Sequence, residues 1–154
     1  MEIERKFLIK ALPKDYLTYP FHQISQAYLC TSPVVRIRQS DQDFILTYKG
    51  GGMLSREEYN LPLTETAFLH LLKKADGRII TKKRYLIPYL EKYIIELDLF
   101  ENELAPLICA EVEFASEAEA LAFIPPDWFG EDVTFLEEYK NSYLSRNIQK
   151  NGCD

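Results

Sequence analysis

The chain begins Glu2-Ile3-Glu4-Arg5-Lys6-Phe7. On a β-strand residues 2, 4 and 6 point one way and 3, 5 and 7 the other, so two carboxylates and an ammonium share the first exposed face. The pattern recurs. Arg36 and Arg38 lie opposite Val35 and Ile37, and Lys49 continues the face of Thr47 and Ile45. Lys82 pairs with Arg84, Glu96 with Asp98, and Glu111 with Glu113, the acidic pairs being backed by Ile95, Leu97, Val112 and Phe114. Arginine forks and lysine ammoniums match phosphate oxygens. Clustered carboxylates offer hard oxygen ligands suited to Mg²⁺ or Mn²⁺. Both sets in one place are what a metal-bound polyphosphate requires.

Such faces need strands to carry them. Period-2 alternation with β-branched and aromatic residues predicts strands over about 2–9, 23–31, 33–39, 43–49, 56–61, 79–87, 91–99 and 108–114. Turn residues separate them at Ser32-Pro33, Ser40-Asp41-Gln42 and Gly50-Gly51-Gly52. Helices are predicted over 64–75, with Ala67, Phe68, Leu71, Leu72 and Ala75 on one face, and from a Ser116/Glu119 capping box to Pro125. A third is predicted over 136–147, from the spacing of Leu136, Tyr139, Tyr143 and Leu144. No repeat or linker divides the 154 residues, so the fold class is α+β, mostly antiparallel, in one domain.

A single doublet is what a half-solvated sheet shows. Six segments whose charges are sorted by sign need more. Eight strands can close into a small barrel with room for side chains or one small ligand. With the charged faces inward, the interior holds Lys6, Arg36, Arg38, Lys49, Lys82 and Arg84 against Glu2, Glu4, Glu96, Asp98, Glu111 and Glu113. Arg56 and Glu58 keep that tally even. So many buried charges must neutralise one another or a ligand. The net charge of −6 argues against nucleic-acid and anionic-membrane surfaces. Three cysteines without a CxxC pair argue for a reducing, cytoplasmic home and against a thiolate metal site.

The ordered set resembles the CYTH domain, or triphosphate tunnel metalloenzyme, family. Glu2-x-Glu4-x-Lys6 matches its ExExK signature. Arg36-x-Arg38, Lys49 in TYKG, Glu58 in SREEY, Lys82-x-Arg84-Tyr85, Glu96-x-Asp98, Glu111-x-Glu113, the Gly130–Thr134 stretch and Tyr139-Lys140-Asn141-Ser142 follow in the family's order. The resemblance implies an eight-stranded antiparallel tunnel with short helices outside, spanning 1–146; the terminal position of 147–154 predicts a frayed tail. It implies Glu2, Glu4, Glu111 and Glu113 as metal carboxylates and catalytic residues, supported by Glu96 and Asp98. Lys6, Arg36, Arg38, Lys49, Arg56, Glu58, Lys82 and Arg84 become the substrate cradle, and Lys140 a catalytic residue on a C-terminal helix at one end of the tunnel.

The implied reaction is hydrolysis of the terminal phosphate of inorganic tripolyphosphate, and of nucleoside triphosphates as alternatives, by a water activated by Mg²⁺ or Mn²⁺. A class IV-type adenylyl cyclase, a thiamine triphosphatase and a non-catalytic polyphosphate or nucleotide binder are the competing readings, and a homodimer is compatible with any of them. His22 and His70 belong to no motif. Arg5, Glu57 and Lys83 fall out of phase with the inward faces, Tyr85 and Tyr139 read as packing residues, and Gly50–Gly52 reads as a hairpin turn rather than a phosphate loop.

Overall fold

The computed structural model describes residues 1–146; the tail expected over 147–154 lies outside them. Ten strands form: β1 (Glu2–Ile9), β2 (Phe21–Thr31), β3 (Val34–Ser40), β4 (Asp43–Lys49), β5 (Ser55–Arg56), β6 (Glu58–Pro62), β7 (Asp76–Tyr89), β8 (Tyr93–Phe100), β9 (Ile108–Glu113) and β10 (Phe129–Asp132). All pairings are antiparallel, in the order β10-β1-β9-β8-β7-β2-β3-β4-β6, and β5 returns to pair with β1. Because β5 and β6 are one strand interrupted at Glu57, the pairing Glu2↔Arg56 closes an eight-membered ring into the expected barrel.

The two extra strands have local causes. The strand expected at 56–61 divides at Glu57 because its two parts take different partners, Ser55–Arg56 pairing with β1 and Glu58–Pro62 with β4, while the carbonyl of exposed Glu57 accepts from Gly50 N at 3.1 Å. The Gly130–Thr134 stretch lacks alternation and was not expected to be a strand. It becomes β10 by pairing Phe7↔Asp132 and Ile9↔Phe129 along the edge of β1 that β5 leaves free. Phe129 packs on Phe7 with ring centroids 4.8 Å apart.

The helices cover the outside. Thr64 caps α1 (Glu65–Leu72) by accepting from Ala67 N at 3.1 Å, and Phe68 is buried against Ala27 and Ile37. Half of the capping box forms at α2 (Glu117–Ala122): Ser116 Oγ accepts from Glu119 N at 3.1 Å, while the Glu119 carboxylate accepts from Ala115 N at 3.3 Å rather than from Ser116. Its Phe123 joins Phe7, Tyr85, Leu97, Val112 and Phe114 in the largest apolar cluster. The helix predicted over 136–147 is corrected: a 3₁₀ turn at Glu137–Tyr139 is followed by extended Lys140 and then the four-residue α3 (Asn141–Leu144). Lys6 Nζ donates to the Tyr139 carbonyl at 2.6 Å, taking the acceptor that a continuous helix would offer to Tyr143, whose N–H turns to Lys140 instead.

The barrel is therefore apolar outside and charged inside over most of its length. One end of the interior differs. Tyr28, Val34, Ile80, Phe100 and Cys109, with Leu8 and Leu144 against them, stack on the inward positions next to the charged ones and close the barrel with an apolar plug.

Candidate active site

Register decides which inward charges meet. Arg84 stands opposite Asp98, Glu96 opposite Glu111, and Lys6 opposite Glu111. Asp98 is fully buried and receives Lys82 Nζ at 2.7 Å, Arg84 Nε at 2.7 Å and Arg84 Nη2 at 2.8 Å. Arg84 also donates to Glu96 at 2.7 Å and Glu111 at 3.1 Å, and Lys6 Nζ lies 3.4 Å from Glu111. On this wall, built from β7, β8 and β9, cations and carboxylates neutralise each other.

The pKa directions agree. Burial raises the Asp98 and Glu111 carboxyls, but the attraction of Arg84 and Lys82 on the first, and of Lys6, Arg84 and Lys82 on the second, wins and holds both below the ordinary carboxylate range. Lys82 goes the other way. Burial, with Arg84 beside it, outweighs Asp98 and depresses its ammonium to about 7. Asp98 is shared with Arg84, so it compensates Lys82 only in part.

The β3 wall is different. Arg36 is buried, donates from Nη2 to the Thr47 hydroxyl at 3.1 Å, and leaves its buried Nε without a partner. Arg38 donates from Nε and Nη2 to one acceptor, Gln26 Oε1, at 2.9 and 2.7 Å. Among the described residues neither guanidinium forms an ion pair with a carboxylate. Burial, Arg36 and Arg84 all push the Arg38 pKa down.

On β1 the surplus is negative. Lys49 holds Glu2 at 2.9 Å and stands 3.4 Å from Glu58. Burial and repulsion from Glu4 still raise Glu2 to about 8, whereas Glu58, which burial also pushes up, is held near 2 by hydrogen bonds with Glu2 and Asn60 and by Lys49. Glu4 has no side-chain hydrogen bond among the described residues, and burial and Glu111 raise it to about 7. Glu113 is exposed at the rim, and burial with Glu96 and Glu58 nearby raises it.

Two adjoining cavities sit between these walls and share Glu4, Arg36, Lys49, Glu111 and Asn141. The larger, about 320 Å³, is lined by six carboxylates (Glu2, Glu4, Glu58, Glu96, Glu111, Glu113) and four cations (Arg36, Arg38, Lys49, Arg84). The smaller, about 60 Å³, lies under residues 133–142 and has five cations (Lys6, Arg36, Lys49, Arg56, Lys140) against Glu4 and Glu111. The site is thus polar from end to end, acidic at one and basic at the other. Of the residues singled out from sequence, Lys82 and Asp98 line neither cavity. Lys140 lines the basic one from the extended break before α3 rather than from a helix, 4.0 Å from Glu137, with burial and Arg56 lowering its pKa.

Sequence reasoning missed the neutral members: Gln26, Thr47 and Asn60, which partner Arg36, Arg38 and one another, and Thr134, whose hydroxyl accepts from Lys6 N at 3.0 Å. Strand phase was the available signal, since Gln26 is in step with Tyr28, and Thr47 with Lys49.

A divalent cation fits the acidic end by the chemistry of its donors. Glu2, Glu4, Glu96 and Glu113 offer hard oxygen donors, and the Glu2 and Glu4 carboxyls are raised by burial and by neighbouring carboxylates, a local negative surplus that Lys49 offsets only in part. Among the described residues no three such side chains form a ready-made cage. Magnesium-type sites commonly use one or two carboxylates and complete their shell with water and substrate phosphate.

The CYTH domain family model matches residues 1–146. The chain is 42% identical to an inorganic triphosphatase of Nitrosomonas europaea over 96% of this chain and 98% of the relative. It is 32% identical to an inorganic triphosphatase of Acetivibrio thermocellus over 97% and 96%. A crystal structure of an inorganic triphosphatase superposes with a TM-score of 0.71 at 38% identity, covering 96% of both chains.

Proposed function

The chain belongs to the CYTH domain family, and from that premise we propose that it is a divalent-metal-dependent hydrolase of inorganic tripolyphosphate. The observation that carries this reading is the pair of guanidiniums, buried Arg36 and half-buried Arg38, without carboxylate partners among the described residues, facing a carboxylate surplus at Glu2 and Glu4. Buried charge left uncompensated is costly, and the complementary ligand is a polyanion carrying a cation.

Glu2 and Glu4, with Glu96, Glu111 and Glu113 around them, would hold Mg²⁺ or Mn²⁺. When bound, the cation supplies Lewis-acid charge at phosphate oxygens and makes a water molecule more acidic. Arg36 and Arg38 bind equatorial phosphate oxygens from β3 and counter the charge that develops there during transfer. Lys49, held between Glu2 and Glu58, bridges the acidic and basic ends. Lys6, Arg56 and Lys140 receive the far end of the phosphate chain, and the apolar plug keeps water from that end. Asp98 holds Arg84 and Lys82, and neither Lys82 nor Asp98 lines the cavities where substrate would sit.

The substrate preference follows from the lining. Tripolyphosphate is anionic at both ends, and the smaller cavity is basic where a nucleoside would have to sit or exit. The described residues contain no helix long and apolar enough to cross a membrane. Free Cys30 and Cys109 fit the cytoplasmic setting we assign it. Phosphate release from tripolyphosphate, ATP and thiamine triphosphate, each with Mg²⁺, Mn²⁺ or EDTA and with cyclic AMP measured alongside, tests the reading. Metal-dependent release that is fastest from tripolyphosphate is expected. Full turnover in EDTA, or cyclic AMP as the main product, overturns it.

A further inference from the structure

Two arginines of this interior present the same two nitrogens to different acceptors, one to the two oxygens of a carboxylate and the other to the single oxygen of an amide. Arg84 presents Nε and Nη2 to the Asp98 carboxylate at 2.7 and 2.8 Å. Arg38 presents the same two nitrogens to Gln26 at 2.9 and 2.7 Å. Gln26 is fully buried, lines neither cavity, and pairs with Arg38 across the β2–β3 ladder. Its amide nitrogen donates to the Tyr28 hydroxyl at 3.3 Å, which turns its oxygen toward the guanidinium.

A carboxylate at position 26 would accept from the same two nitrogens and make a stronger, charged pair, as Asp98 does for Arg84. It would also cancel the charge that the cavity needs. An amide gives the geometry without the neutralisation. We propose that Gln26 is the positioning residue that aims Arg38 into the cavity and keeps its positive charge available to the triphosphate. The inference rests on the proposed function only in taking the anion at Arg38 to be a triphosphate.

The test compares Gln26→Glu, Gln26→Met, Arg38→Met and wild type, with tripolyphosphate binding measured by calorimetry with Ca²⁺ or Mg²⁺ present, steady-state kinetics, and thermal unfolding. Gln26→Glu completes an ion pair, so its Tm stays at or above wild type while Kd and KM rise about tenfold or more, toward those of Arg38→Met. Lowering the pH protonates the introduced carboxyl, so the ratio of its KM to that of wild type shrinks. Gln26→Met keeps the charge but loses the aim, and gives a smaller rise in KM with a lower Tm. Gln26→Glu binding tripolyphosphate within twofold of wild type, while Arg38→Met binds poorly, overturns the inference and leaves the function standing. Wild type that fails to bind tripolyphosphate at all overturns the function reading itself and removes the ligand on which the inference depends.

Discussion

On the β7–β9 wall and on the β3 wall of the barrel a cationic pair stands at the same spacing, Lys82-x-Arg84 and Arg36-x-Arg38, yet the two pairs do different physical work. Lys82 and Arg84 are buried against Asp98, Glu96 and Glu111, and the charges cancel. Arg36 and Arg38 are held by Thr47 and Gln26, which are neutral, and their charges stand. The first wall makes a rigid charged lining possible; the second leaves it unfinished until an anion arrives. What separates structural charge from functional charge here is the partner across the strand, not the motif along it.

Variants should therefore separate stability from activity according to the wall they touch. The largest effect is expected for Asp98→Asn, which strands Lys82 and Arg84 in the interior and should lower unfolding stability by about 3–5 kcal/mol in a denaturant melt. On the other wall, Arg38→Met removes a half-buried cation that has no carboxylate partner among the described residues. Its melting temperature should hold or rise, while KM for tripolyphosphate, or kcat if the contact tightens in the transition state, worsens about 10- to 150-fold. Equal stability losses from the two variants would erase the distinction.

Arg5 sharpens the contrast from outside the barrel. As its strand phase predicts, it points away from the cavity, but it is not idle. It donates to the carbonyls of Ala120 at 2.9 Å and Phe123 at 3.4 Å, pairs with Asp132 at 2.8 Å and lies over the Phe7 ring. Arg5→Ala should cost about 1–2 kcal/mol of stability and leave KM and kcat near wild type. Its place off the inward face follows from strand phase, and the ion pair with Asp132 and the bonds to the end of α2 give it a structural role there.

The smallest effect is a pH dependence of the metal-free protein. Glu2 and Glu4 have folded pKa values of about 8 and 7, raised above 4.5. The folded state then holds protons that the unfolded state has lost, so stability falls as pH rises from about 5 to 7. Asp98 and Glu111, being lowered, exert their pull below this window, and the depressed Lys82 acts above it. Melting temperature should decline between pH 5 and 7 and flatten with saturating Mg²⁺. A rise over that window without metal would contradict the assigned burial of the β1 carboxylates.

Strand phase made much of this legible. The inward faces of β1, β3, β4, β7, β8 and β9 follow from alternation, and so does the closure of the ring, because the charges demand an interior. The breaks did not follow. The chain changes partner at Glu57, from β1 to β4, and it stops being helical at Lys140 because Lys6, far away in sequence, takes the Tyr139 carbonyl. β10 exists because β5 is too short to cover β1. The division of labour between the walls was equally hidden. Alternation places Asp98 and Glu2 alike on an inner face, and only the register shows that one is neutralised and the other crowded.

The central claim is that the charge left over on β3 and β1 is the binding site. It is tested most directly by thermal unfolding of wild type and of the Arg36→Met/Arg38→Met double variant, with and without tripolyphosphate and Mg²⁺. At ligand about 100 times Kd, wild type should gain about 2.7 kcal/mol over metal alone. The double variant, equally or more stable without ligand, should gain almost nothing. The same ligand-induced gain in both proteins would contradict the account.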